Sequence, residues 1–171
     1  MIRLFLVGGF DTASMALAAL VWWLAQHPED CERLRQNPAL IDATSEDAVR
    51  FSSPATYLRR EVTEEVELGG TQLRAGDQVL VCFGAANRDP AKFADPDAIL
   101  LDRKPNVHVG FGAGHHRCVG SFIAKLEMRV ALEGILKRYK GLALDETQPV
   151  RYSPGLNQGI IALPLILTKA D

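Results

Sequence analysis

Phe111-Gly112-Ala113-Gly114-His115-His116-Arg117-Cys118-Val119-Gly120 sets one cysteine between a glycine-punctuated loop and a long amphipathic run. A cysteine ahead of a helix is ordinarily a small buried hydrophobe. The surroundings argue for chemistry instead. Gly110, Gly112 and Gly114 permit left-handed or very close-packed backbone, as a chain pressed against a flat ligand requires. The run Ser121 to Tyr139 predicts a helix, which sets Cys118 near its N-terminus. Unpaired N–H groups and the positive end of the dipole favour a thiolate there. A thiolate offered from a preformed loop is a metal ligand or a nucleophile, and the loop alone leaves both open.

At 171 residues the chain fits one domain, 1–171, with enough length for a real core. Hydrophobic content of 47%, charged content of 23% and a net charge of -2 describe a globular protein without the basic surplus that nucleic acid demands. Cys31, Cys82 and Cys118 are odd in number and far apart, so neither a disulfide framework nor a zinc site is indicated and a reducing, cytoplasmic setting is expected. The apolar run Leu4 to Ala25 follows Met1-Ile2-Arg3 and mimics a signal peptide or a membrane span. Asp11 in its middle, with Gly8-Gly9, Thr12 and Ser14, favours a buried core helix and no membrane.

That helix carries a second motif, Gly8-Gly9-Phe10-Asp11-Thr12, an acid and an alcohol side by side after two glycines. Each glycine costs helix stability, about 1 kcal/mol relative to alanine. The pair suits a backbone bulge or a ligand needing room, or else a kinked helix in which Asp11 and Thr12 bond to local backbone. Further on, helices are expected over Glu29 to Gln36 and Ala39 to Phe51; Glu46 and Arg50, four apart, suggest a surface ion pair. Strands are expected around Tyr57 to Arg60, at Glu65 to Gly69 and Thr71 to Arg74 about a Gly69-Gly70 turn, at Gln78 to Phe83 and at Gly141 to Leu144. Pro149 to Tyr152 and Ile160 to Thr168 suggest a final hairpin. The fold class is mainly α with small β-sheets (α+β).

The cysteine decamer resembles the loop of the cytochrome P450 family, Phe-Gly-x-Gly-x-His-x-Cys-x-Gly, at all six fixed positions: Phe111, Gly112, Gly114, His116, Cys118 and Gly120. Gly8, Gly9, Asp11 and Thr12 match the family's distal-helix pattern. The resemblance implies haem b with Cys118 as its axial thiolate ligand to iron, and Phe111, Gly112 and Gly120 in the cofactor cradle. It implies that Arg60, His108 and His116 pair with the haem carboxylates, and that Asp11 and Thr12 form a catalytic proton relay; it gives His115 no role. It also makes Leu156 and Asn157 candidates for substrate contact. The motifs run in the family's order from the distal central helix onwards, so the chain is expected to be a C-terminal portion of the cytochrome P450 fold, truncated or a fragment, with the N-terminal part absent.

The family's Glu-x-x-Arg motif aligns on Arg50 with Asp47 at the acidic position, and Ala98 stands where its partner arginine belongs, so two of three members of the structural triad are expected to be altered. The implied function is a haem-thiolate monooxygenase that oxygenates a small organic substrate with electrons from ferredoxin/reductase-type donors, which Arg117 and Arg129 would face. The alternative is a non-catalytic, truncated relative serving as a haem-binding or dimerising module, paired with a second copy or with the missing half.

Overall fold

The structure, a computed structural model, describes residues 2–170, with side chains from residue 8 to residue 170. The first described element is a long helix, α1 (Ile2–Gln26).

 

Its alanines and leucines are strong helix formers, and Ala16, Leu20 and Leu24, each four residues after the last, make the stripe it buries. The helix runs unbroken through Gly8-Gly9, so the expected bulge does not form. The segment Gly8–Gln26 is long and apolar enough to cross a membrane by length and composition, yet it packs against other elements of this structure along the buried stripe.

Pro28 opens α2 (Pro28–Gln36), where a missing N–H costs nothing, and Glu29 and Asp30 lie favourably in its first turn. A 3-10 turn, Pro38–Leu40, leads into α3 (Ile41–Ser52). Ser53 ends α3 in the left-handed region (φ 40), and its hydroxyl donates to the Arg50 carbonyl at 2.8 Å. Two antiparallel ribbons follow. β1 (Tyr57–Glu61) pairs with β4 (Gln78–Cys82), and β2 (Val66–Leu68) with β3 (Thr71–Leu73). Gly69 and Gly70 both have positive φ, as the tight turn between β2 and β3 requires.

A single helical turn, α4 (Phe83–Ala86), starts the irregular stretch that ends at the cysteine loop. Beyond the loop, α5 (Ser121–Arg138) buries Met128, Leu132 and Leu136 at four-residue spacing, and β5 (Tyr139–Leu144) turns back from its end. Helices α1, α3 and α5 and strand β5 share one core in which Leu20, Leu24, Ala48 and Leu132 are fully inaccessible.

The expected last hairpin is corrected in one respect. Strand Ile160 to Thr168 is two strands in two sheets: β7 (Ile160–Ala162) pairs with β6 (Arg151–Tyr152), and β8 (Leu165–Lys169) pairs with β5. Pro164 stands between them, and without an N–H it cannot continue a ladder.

Candidate haem-binding site

The cysteine loop is held from behind by α3. Asp47 and Arg50, three apart on that helix, are both fully buried. Arg50 Nε donates to Asp47 Oδ1 at 2.5 Å, and its two terminal nitrogens reach Asp47 Oδ2 and the carbonyls of Asn87, Pro96 and Ala98. All five N–H groups of the guanidinium have an acceptor. Glu46 makes no pair with Arg50, so the surface ion pair expected there is absent.

The expected loss of the second arginine is corrected too. Arg103 supplies it. Its Nε donates to Asp47 Oδ1 at 2.7 Å, while its other nitrogens bond the carbonyls of Ala94, Asp95 and Ala98. Leu100 N–H completes the set on Asp47 Oδ2 at 2.7 Å. One carboxylate therefore ties α3 to the irregular segment through two arginines. Such a buried carboxylate is tolerated because it accepts four hydrogen bonds, two on each oxygen, two of the four from Arg50, whose own N–H groups are all satisfied. Ala98 takes part through its carbonyl rather than a side chain, which is why alignment on side chains missed the arrangement.

Asn87 carries the connection on to the loop. It is fully buried; its Nδ2 donates to Ser53 Oγ at 2.8 Å, and its Oδ1 accepts the Val109 N–H at 2.8 Å. None of the motifs in the sequence includes Asn87. Its asparagine amide, one donor and one acceptor on opposite sides, was the signal available.

In the loop itself Gly112 N–H bonds the Val109 carbonyl at 2.8 Å, and Cys118 N–H bonds the Phe111 carbonyl at 2.7 Å. Gly112 (φ +71) occupies the left-handed region, and a Cβ there would lie 3.0 Å from the His116 carbonyl oxygen. Gly112→Ala is therefore expected to destabilise the loop by about 1–2 kcal/mol. Amide exchange at Cys118 and haem uptake are the readouts; unchanged values for both would show that the loop yields.

Cys118 is an exposed free thiol two residues before the Gly120 N-cap of α5. A Cβ on Gly120 would lie 3.8 Å from its sulfur, an ordinary van der Waals contact. His116 is exposed, and Arg60 on β1 is half-buried, its guanidinium bonding the Arg59 carbonyl at 2.9 Å and making no ion pair among the described residues. Arg129 is already paired with Asp42 and Glu133, which leaves Arg117 as the uncommitted arginine of the face expected to meet an electron donor.

His108 has other company. Its ring is buried, with Nε2 3.0 Å from Glu46 Oε1 and Nδ1 accepting the Gly110 N–H at 3.0 Å. Burial alone would raise the Glu46 carboxyl, but hydrogen bonds from His108 and Lys125, with the nearby positive charge, hold it below its ordinary value. On α1, Thr12 Oγ1 donates to the Gly8 carbonyl at 2.8 Å, as the alternative to a relay role has it, and Asp11 is exposed. Added Cβ atoms at Gly8 and Gly9 would meet open space. Leu156 is exposed at the tip beyond β6, and Asn157 bridges to Ala55.

The model of the cytochrome P450 family matches residues 39–165, most of the chain and the whole of this constellation from Asp47 to Cys118. The chain belongs to the cytochrome P450 family. It is 39% identical over 170 residues to cytochrome P450 CYP199A2 of Rhodopseudomonas palustris, covering 99% of this chain and 41% of that protein. It is 41% identical to the mycinamicin IV hydroxylase/epoxidase of Micromonospora griseorubida, over 94% of this chain and 42% of the relative. Among solved structures, the hydroxylase HmtN of himastatin biosynthesis superposes with a TM-score of 0.91 at 39% identity, over 95% of this chain and 44% of that one.

These matches correct the expectation of a C-terminal portion beginning at the distal helix. The likeness runs through nearly all of this chain, and α1, α3, α5 and β5 bury one common core. The chain spans less than half the length of these cytochrome P450 relatives. Truncation, inferred from the order of motifs, does not follow from that overlap.

Proposed function

We propose that this cytochrome P450 chain holds haem b through a Cys118 thiolate and serves a monooxygenase that acts on a small organic substrate. The observation that supports the reading most directly is the presentation of Cys118: an unpaired, exposed thiol whose amide is tied to the Phe111 carbonyl, on a loop whose tight turn Gly112 permits. The donor set fits haem. A soft thiolate suits iron, and Arg60 and His116, neither ion-paired among the described residues, suit two carboxylates. Phe111, Gly112 and Gly120 complete the cradle.

Bound haem would supply dioxygen reduction and insertion of one oxygen atom into the substrate. The chain's own residues would hold, orient and deliver protons. Cys118 would hold the cofactor, and the Asp47–Arg50–Arg103 hub would anchor the segment that leads into its loop. Asp11, exposed, can take protons from water, and the Thr12 hydroxyl can pass them on once it releases the Gly8 carbonyl. Leu156 and Asn157 would touch substrate.

Electrons would come from separate ferredoxin/reductase-type donors docking near Arg117. Three free thiols suit a reducing, cytoplasmic setting. Similar proteins include a linalool 8-monooxygenase of Pseudomonas putida and a steroid C26-monooxygenase of Mycolicibacterium smegmatis, which supports an organic substrate without choosing one.

The test is the carbon monoxide difference spectrum of the reduced, haem-loaded protein. The haem-thiolate Soret band is expected in wild type, Cys31→Ala and Cys82→Ala, and is expected to vanish in Cys118→Ala. A folded chain that takes up no haem, or a band that survives Cys118→Ala, would overturn the reading.

A further inference from the structure

Glu46 sits at the meeting point of three elements. Its Oε2 pairs with Lys125 Nζ of α5 at 2.5 Å, and its Oε1 with His108 Nε2 at 3.0 Å. The ammonium of Lys125 also lies 5.4 Å from the centre of the Phe111 ring. Because Nδ1 of His108 accepts the Gly110 N–H, the ring proton must be on Nε2, where it is donated to Glu46. Gly110 has no room to adjust: a Cβ there would lie 3.0 Å from both His108 Nδ1 and Val49 Cγ1. The result is a run of pinned backbone. Val109 N–H is held by Asn87, Gly110 N–H by His108 and Gly112 N–H by Val109, while Phe111 C=O receives the Cys118 N–H.

We propose that Glu46 and His108 are a positioning pair for the cysteine loop, and that His108 does not bind a haem carboxylate in this chain. Both ring nitrogens are committed, and the side chain is 3% exposed. Turning the ring toward a carboxylate would free the Gly110 N–H and leave Glu46 facing Lys125 alone. The carboxylates fall to Arg60 and His116. The second half of this proposal rests on the haem reading above; the first half does not.

Two probes separate the roles: haem, and haem dimethyl ester, which has no carboxylates. Glu46→Ala and His108→Ala are each expected to weaken uptake of both probes equally, by about ten-fold, the loss that follows from one hydrogen bond to a charged group. The double variant is expected to be no worse than either single one. Arg60→Ala is expected to affect free-acid haem alone. A His108→Ala defect confined to free-acid haem, with Glu46→Ala neutral, overturns the proposal.

Nuclear magnetic resonance tests the loop without haem, so a chain that takes up neither probe sinks the haem reading and still decides this one. The Nε2–H tautomer of His108 is expected, with slow exchange at the Gly110 and Cys118 amides that accelerates in Glu46→Ala. Glu46→Gln, whose amide oxygen can still accept from Nε2–H, is expected to restore slow exchange. A Gln variant as open as the Ala variant, or wild-type exchange in Glu46→Ala, overturns the proposal.

Discussion

Asp47→Ala is expected to lower the free energy of unfolding by roughly 3–5 kcal/mol, the largest single effect in this chain. The substitution removes the carboxylate that accepts from Arg50, Arg103 and the Leu100 amide, in a position with no solvent access. Two guanidinium groups would remain, both almost wholly buried and sharing the Ala98 carbonyl, with no anion between them. Asp47→Asn is expected to be nearly as harmful, because the amide keeps the shape and loses the charge. Asp47→Glu restores the residue usual in the family's motif, yet it adds a methylene to a filled site and is expected to cost about 1–3 kcal/mol. Urea denaturation gives the comparison. An Asp47→Ala loss under 1 kcal/mol would show that the arginines find water or other acceptors.

Gly159→Ala ranks second. A Cβ on Gly159 would lie 2.5 Å from Met15 Cγ and 2.6 Å from Met15 Cβ, well inside contact distance. The Met15 Cβ is fixed to α1 and cannot retreat without the helix, so the β6–β7 hairpin must move instead. Its ties are slight: Thr56 N–H to the Leu156 carbonyl at 3.3 Å, and Gln158 N–H to the Pro54 carbonyl at 2.9 Å. An overpacking loss of about 1–3 kcal/mol is expected, together with displacement of Leu156 and Asn157 from the place proposed for substrate contact. Met15→Ala should relieve part of it, so the two substitutions are expected to be non-additive in thermal melts. Strict additivity would mean that the hairpin and α1 do not meet in this way.

The cysteine loop, the helices flanking it and the Gly69-Gly70 turn were legible because each is encoded within a few residues. Glycine at left-handed positions, apolar residues at helical spacing and a proline at a helix start act locally. Reading failed where two distant segments chose each other. Arg103 lies 56 residues from Asp47 and in no motif, and only the path of the irregular segment brings its guanidinium to the carboxylate. His108 looked like a cofactor ligand, because sequence shows what a side chain can donate or accept, not who stands beside it.

By itself, then, the sequence determined the helices, the thiol-bearing loop and the family. The tertiary structure alone decided which groups hold that loop in place: Arg103 in the position expected to be empty, Asn87 between α3 and Val109, and Glu46 behind His108. The physical reason is that backbone preference is a local property, whereas the satisfaction of a buried charge is settled only by the groups that packing brings within hydrogen-bond reach.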